Sequence, residues 1–152
     1  MSKYSVFLKT PDYLAQWLRH EFWNDETGRV EFARGSAPRA VIQSLVTRRP
    51  ADYVQPCTDG LLPVEIPTFK GVNPAVYNHL TEQGKKALVS TCKRMFQAML
   101  WQELNPLFDH DVMITDVIYA FMERHGIERE ERNWETIRQM YARLRKRTRS
   151  QS

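Results

Sequence analysis

Cysteine is scarce in this chain, and its scarcity argues against several classes of small protein. The two cysteines, Cys57 and Cys92, stand far apart, and neither belongs to a Cys-x-x-Cys motif. Neither a disulfide framework nor a cysteine-based zinc site is therefore indicated. None of the four histidines stands at metal-ligand spacing from another. We predict no bound metal, no cofactor and a reducing, cytoplasmic environment.

Glycine and long apolar runs are scarce as well. Six glycines among 152 residues leave little room for a phosphate-binding loop, and no Gly-x-Ser-x-Gly nucleophile motif is present. No stretch approaches the roughly 20 apolar residues of a membrane span, and the N-terminus lacks the apolar core of a signal peptide. We therefore expect a protein that is not an enzyme and does not contact a membrane.

One local group of potential metal ligands is Asp109-His110-Asp111. Neighbouring side chains in such a segment point apart, and a loop with helix-capping aspartates explains the group better than a metal does. A magnesium site that adds Asp116 would need a matching set of ligands elsewhere, which the sequence lacks. Cys92 lies on the apolar face of a predicted helix, so we expect a core residue and not a nucleophile.

The first 80 residues alternate between strand and helix patterns. They predict a small α+β lobe of two or three strands and two helices, with the first helix beginning near Pro11 and the second near Ser36. Residues 61–69 are extended and contain Pro63 and Pro67, so they are expected as an edge strand or a polyproline-like crossing. Arg48 and Arg49 either complement the end of the second helix or contact phosphate. We expect this lobe to mediate dimerisation or partner contact.

From Thr81 onward, helical patterns replace strand patterns. A long helix is expected from about Glu82 to Leu104, and a second one is expected to begin at Thr115 as its cap. Gly126 suits the left-handed residue of a Schellman-type stop, with Ile127 as its apolar contact.

The last of three consecutive helices is expected to begin at Asn133 as its cap. The three helices predict a helix-turn-helix-like bundle over residues 81–149, with residues 150–152 as a frayed tail. The linker Gly126–Arg132 departs from that motif, because it is longer than the usual turn of 3–4 residues.

The last helix divides into an apolar arc and a basic arc. At about 100° per residue, one arc of about 120° holds Trp134, Ile137, Met140, Tyr141 and Leu144. The opposite arc is polar and surrounds the small Ala142. Residues 134–152 carry a net charge of +5, whereas the rest of the chain sums to −1. Such a helix can pack on a core and present donors to an anionic partner, of which nucleic acid is the commonest.

Three residues of the basic arc suit base recognition in the DNA major groove. Arginine pairs bidentately with guanine and glutamine with adenine, so we expect Arg138, Gln139 and Arg143 to contact base edges. The rest of the predicted DNA interface contacts phosphates or completes the polar arc, and it comprises Asn133, Glu135, Arg145, Lys146, Arg147 and Arg149.

Two segments, NPAVYNHL and YAFMERHGIEREERNWETIRQMYARLRKR, resemble short basic proteins of bacterial phages and mobile elements. The resemblance covers about residues 61–149 and leaves the N-terminal third unmatched. It implies a role in gene regulation or DNA handling and assigns no functional residues.

The sequence thus predicts a non-enzymatic protein that binds double-stranded DNA, either a transcription regulator or an accessory factor. Its expected location is the cytoplasm of a bacterial or phage-infected cell. In the alternative, the basic helix docks on an acidic protein, and the chain is an interaction or phage structural module. A basic helix that serves only solubility, and an enzyme with scattered catalytic groups, are the remaining alternatives.

Overall fold

A computed structural model describes residues 2–109 and 114–150, and over these residues the protein is mixed α+β. Its helices are α1 (Asp12–Phe22), α2 (Ala37–Leu45), α3 (Glu82–Leu104), α4 (Ile114–Arg124) and α5 (Glu131–Ser150). Its strands are β1 (Ser5–Leu8), β2 (Trp23–Asn24), β3 (Arg29–Val30), β4 (Thr47–Arg48), β5 (Leu62–Glu65) and β6 (Tyr77–His79). The predicted α+β class is confirmed, but the strands are shorter and more numerous than the two or three expected.

The chain forms two compact units that interleave along the sequence. The first lies within Met1–Pro11 and Phe22–Cys92, and the second within Asp12–Glu21 and Lys93–Ser152. Helix α3 contributes its first half to the first unit and its second half to the second unit. The compact units therefore do not follow the predicted boundary near residue 80.

The first unit contains a four-stranded sheet in the order β1-β5-β3-β2. Strand β5 pairs antiparallel with β1 and parallel with β3, so it is a central strand and the edge-strand prediction is wrong. The described pairing with β3 is centred on Val64, which leaves the missing N–H of Pro63 outside the ladder. Val6 and Leu8 alternate as predicted, and both are buried in the core.

A second sheet of the first unit joins β4 to β6. These strands are antiparallel, with Thr47 opposite His79. Helix α2 ends at Leu45, and Arg48 lies in the strand that follows. The two arginines therefore do not sit on the last turn of α2, which removes the helix-dipole explanation for them.

The second unit takes its core from α1, the second half of α3, α4 and α5. Phe96 of α3 contacts the rings of Tyr13 and Trp17 at centroid distances of 4.9 and 5.4 Å. It also contacts Phe121 of α4 at 5.7 Å. Helix α1, which the sequence assigned to the N-terminal lobe, belongs to this unit because its apolar face meets Phe96.

The structure corrects the predicted start of helix α4 and confirms its predicted end. Thr115 is its second residue and not its cap, because the helix already includes Ile114. Its end confirms the Schellman prediction: Gly126 has a φ of 71°, and the Ile127 N–H donates to the Met122 carbonyl at 2.9 Å. None of the described helices combines the length and apolarity needed to cross a bilayer.

Candidate nucleic-acid interface

Helix α5 is anchored by the apolar arc that the sequence predicted. Ile137 and Tyr141 are almost fully buried, and Met140 is buried beside them. The Tyr141 ring stacks on Trp101 at 5.7 Å, and its hydroxyl group donates to Asn105 Oδ1 at 3.3 Å. Residues 150–152 were expected as a frayed tail, but the helix extends to Ser150. Residues 151–152 lie outside the described residues. Helix α5 is therefore a packed helix and not a solvated tail.

Asn133 is the one predicted interface residue that the structure places in the interior. Its exposed fraction is 2%, and its Nδ2 donates to Gln16 Oε1 at 3.1 Å and to the Glu128 carbonyl at 3.0 Å. Because α5 begins at Glu131, Asn133 is a residue of the first turn and not the cap. The predictions that Asn133 caps the helix and contacts phosphate are both wrong.

The segment before α5 is held by α1. Gln16 Oε1 accepts a hydrogen bond from the Glu128 N–H at 2.9 Å as well as the one from Asn133. Arg132 Nη1 lies 3.7 Å from Asp12 Oδ2. Residues 125–130 separate α4 from α5, a longer connection than the 3–4 residues of a helix-turn-helix. The position of α5 thus depends on contacts with α1 that the sequence did not predict.

Glu135 engages two of the three residues expected to contact bases. Its carboxylate accepts hydrogen bonds from Arg138 Nε at 3.1 Å and from Gln139 Nε2 at 3.1 Å, and a further one from Arg138 Nη2. The hydrogen bonds from Arg138 and then from Gln139 lower the pKa of Glu135, and the bond to Glu135 raises the pKa of Arg138. In the free protein, the charge of Arg138 is therefore neutralised by its own helix.

Aromatic rings also position Arg138. Trp134 stacks on Tyr119 of α4, with ring centroids 6.1 Å apart and planes inclined by 25°. The Arg138 guanidinium lies 5.8 Å from the Trp134 ring, and that of Arg129 lies 4.4 Å from the Tyr119 ring. These cation–π contacts place Arg138 against the seam between α4 and α5.

The C-terminal half of α5 carries cations that are exposed to solvent. Arg143, Lys146 and Arg147 are exposed, and within the described residues none of them forms an ion pair with a carboxylate. The exposed Ala142 lies in a shallow groove whose basic walls are Arg145, Lys146 and Arg149. This half of the helix agrees with the predicted basic arc around a small residue.

A groove between α3 and α5 adds a basic residue that the sequence reasoning missed. Arg94 of α3 and Arg147 of α5 line it together with Ala98, Trp101 and Leu144. Arg94, Ala98 and Trp101 follow helical spacing, so a wheel drawn for α3 would have placed them on one stripe.

The second unit is basic along α5 and acidic over the rest of its sequence. Residues 12–21 and 93–133 contain ten acidic and six basic side chains, whereas residues 134–152 contain one acidic and six basic side chains. This separation concentrates positive potential on α5, which favours an anionic partner.

Other candidate chemistry finds no support in the described parts of the chain. Cys92 is buried, and burial raises the pKa of its thiol to about 12, which suits the core role predicted for it. No group of three or more His, Cys, Asp or Glu side chains able to hold a metal occurs within residues 2–109 and 114–150. The Asp109-His110-Asp111 group lies outside the residues whose side chains are described.

Comparison with known proteins leaves the interface to be judged on its geometry. No protein-family model, curated protein or solved structure matches this chain.

Proposed function

We propose that this protein binds double-stranded DNA through the basic arc of α5, as a non-enzymatic regulator or accessory factor. The supporting observation is a firmly packed helix whose outer face carries Arg143, Lys146 and Arg147 without carboxylate partners among the described residues. Binding of such cations to phosphates releases counterions, which drives association with DNA. The proposed module comprises α3, α4 and α5, with α4 and α5 acting as a helix-turn-helix-like pair and α5 in the major groove.

The two halves of α5 have different roles in this proposal. The C-terminal half supplies affinity by neutralising phosphates, since its cations are exposed. The N-terminal half supplies sequence preference, because Arg138 must exchange Glu135 for a base edge before it can bind DNA. Glu135 itself would be repelled by phosphate but can accept a hydrogen bond from cytosine N4. Hydrogen bonds from Arg138 to the preferred base therefore compensate for the lost ion pair with Glu135. Another base at that position does not offer this compensation.

Arg94 extends the proposed phosphate-binding surface beyond α5. It lines the same groove as Arg147, so a DNA backbone that follows α5 past Arg147 would meet Arg94 on α3. This gives the interface one phosphate-binding residue that does not come from the last helix.

The decisive experiment is a salt titration of binding to labelled mixed-sequence duplexes, followed by fluorescence anisotropy. We expect a linear decrease of log affinity with log salt, with a slope of roughly −0.9 for each phosphate neutralised. Folded protein that fails to bind any duplex at low salt would rule the proposal out.

An acidic protein partner is the second candidate, and the groove between α3 and α5 favours it. Ala98, Trp101 and Leu144 give the groove an apolar floor between Arg94 and Arg147, which suits an amphipathic acidic helix. Ala98→Gln distinguishes the candidates, because it places a polar side chain at an exposed position of the apolar floor without changing the charge, and it leaves the stack of Trp101 on Tyr141 in place. It should weaken binding of an acidic amphipathic peptide and leave duplex affinity nearly unchanged.

We also propose that residues 1–80 form a homodimer contact. A dimer would supply two copies of α5 for two half-sites, as dimeric DNA-binding proteins commonly do. Sedimentation equilibrium tests this point, and a monomer at all concentrations up to those used for DNA binding would exclude it.

A further inference from the structure

The first unit contains a second concentration of positive charge, which the DNA proposal does not use. Three elements bring it together: Arg49 follows β4, His79 ends β6, and Lys85 lies in the first turns of α3. With Ser5 of β1 and Tyr53, they line a cavity of about 50 Å³. A cavity of this size holds a few waters or a group of a few heavy atoms.

The cavity is shaped by backbone pairing and by one aromatic ring. The Arg49 N–H donates to the Val76 carbonyl at 2.9 Å, which extends the pairing of β4 with β6. The Tyr53 ring lies 4.7 Å from the His79 ring, in an edge-to-face arrangement. The Arg49 guanidinium lies 5.3 Å from the centroid of the same Tyr53 ring. Tyr53 thus holds Arg49 and His79 beside one another.

The charges around the cavity have one predominant sign. Burial, and then the charges of Lys85 and Arg49, lower the pKa of His79, and Glu82 partly opposes this effect. Lys85 Nζ lies 3.1 Å from Glu82 Oε1, but Glu82 is 84% exposed whereas Lys85 is only 18% exposed. No carboxylate is among the described residues that line the cavity. The cavity therefore presents cationic donors and no carboxylate among the described residues that line it.

We propose that this cavity binds a small tetrahedral oxyanion, the phosphate or sulfate group of a ligand, between Arg49 and Lys85. His79 and the Ser5 hydroxyl group supply further donors to the same anion. Charge-assisted hydrogen bonds of this kind are the strongest that a polar cavity offers, and the exposed Glu82 is readily displaced from Lys85. The cavity is too small for a nucleobase, so the recognised group is the oxyanion itself. This inference does not depend on DNA binding.

Inorganic sulfate is the appropriate first probe, because its charge does not change across the titration range of histidine. Nuclear magnetic resonance of the full-length protein would follow the His79 imidazole signals as sodium sulfate replaces sodium chloride at constant ionic strength. We expect a saturable shift at millimolar sulfate. Bound anion should also raise the pKa of His79, reversing the influence of Lys85 and Arg49 on it.

Adjacent residues of the same charge provide matched controls. Arg49→Gln and Lys85→Gln should each weaken sulfate binding by about tenfold or more, because each removes a charge-assisted hydrogen bond. Arg48→Gln and Lys86→Gln remove the same charges from exposed neighbours outside the cavity, and should change affinity less than twofold. Glu82→Gln should strengthen binding a few-fold, since it removes the competitor for Lys85.

Two results would overturn the proposal. One is a His79 signal that responds to sulfate no more than to chloride in the folded protein. The other is an equal decrease of affinity in the Arg48 and Arg49 variants, which would indicate nonspecific screening. A comparison of inorganic phosphate with methyl phosphate then identifies the source of the anion: tighter binding of the ester indicates an organic phosphate, and tighter binding of the inorganic ion indicates the free anion.

Discussion

Arginine occurs in two opposite environments in the two units of this protein. In the first unit, Arg29 is 6% exposed and donates to the carbonyls of Ser2 and Tyr4, to the Ser5 hydroxyl group and to Glu65. In the second unit, Arg143 and Arg147 are exposed on α5. The comparison shows that burial and partners, and not the count of charges, separate arginines that maintain the fold from arginines available to a ligand.

The buried arginine is expected to matter most for stability. We predict that Arg29→Met lowers the free energy of unfolding by about 3 kcal/mol, because it leaves the largely buried Glu65 carboxylate without the cation that forms its ion pair. Urea denaturation at neutral pH, followed by circular dichroism, measures this decrease. Arg143→Met is the matched control from the exposed environment and should change stability by less than about 0.5 kcal/mol.

The protonation of Glu65 adds a second test of the Arg29→Met prediction. Burial and then Glu31 raise its pKa, and Arg29 opposes them, so the pKa of Glu65 rises further in Arg29→Met. A carboxyl group with a raised pKa binds more protons when folded, so stability falls as pH rises through its titration range. The destabilisation in Arg29→Met should therefore shrink in mild acid, and adding Glu65→Gln should recover much of the stability at neutral pH. A destabilisation that is independent of pH and of Glu65 would contradict the account.

The second largest effect is expected at Gly126, which ends α4. A Cβ atom there would lie 2.5 Å from His20 Cβ, and the backbone has a φ of 71°. Gly126→Ala should lower the free energy of unfolding by about 2–4 kcal/mol. Gly60 shares the positive φ but has open space around it, so Gly60→Ala should cost about 1 kcal/mol. Equal thermal shifts of the two variants would show that the contact with His20 is unimportant.

A smaller effect, on duplex affinity, is expected from Glu135, whose carboxylate pairs with Arg138 on α5. Glu135→Gln removes the carboxylate that neutralises Arg138. Duplex affinity should rise by about three- to tenfold, and the difference between sequences should narrow. Glu26→Gln, at an exposed position of the first unit, makes the same change of net charge and is the control for net charge alone. Weaker binding of mixed-sequence duplexes by Glu135→Gln would contradict the proposal that Glu135 holds Arg138 back from DNA.

The features that the sequence predicted correctly depend on local spacing. The two arcs of α5 and the left-handed Gly126 follow from helical periodicity and from the backbone freedom of glycine. The place of α1 in the second unit could not be predicted, because it depends on contacts such as those of Gln16 with the segment before α5. The burial of Asn133 and the cavity beside Arg49 have the same origin. Each needs partners far away in the chain, and a periodic pattern carries no information about them.

The salt dependence of duplex binding tests the central claim most directly, namely that exposed arginines of α5 neutralise DNA phosphates. In the double variant Arg143→Ala/Arg147→Ala, the slope of log affinity against log salt should fall by roughly 1.8, at about 0.9 for each phosphate that is no longer neutralised. Arg124→Ala removes a cation of the same unit that pairs with Glu103, and should leave the slope unchanged. An unchanged slope in the folded double variant, or an equal fall in Arg124→Ala, would contradict the claim.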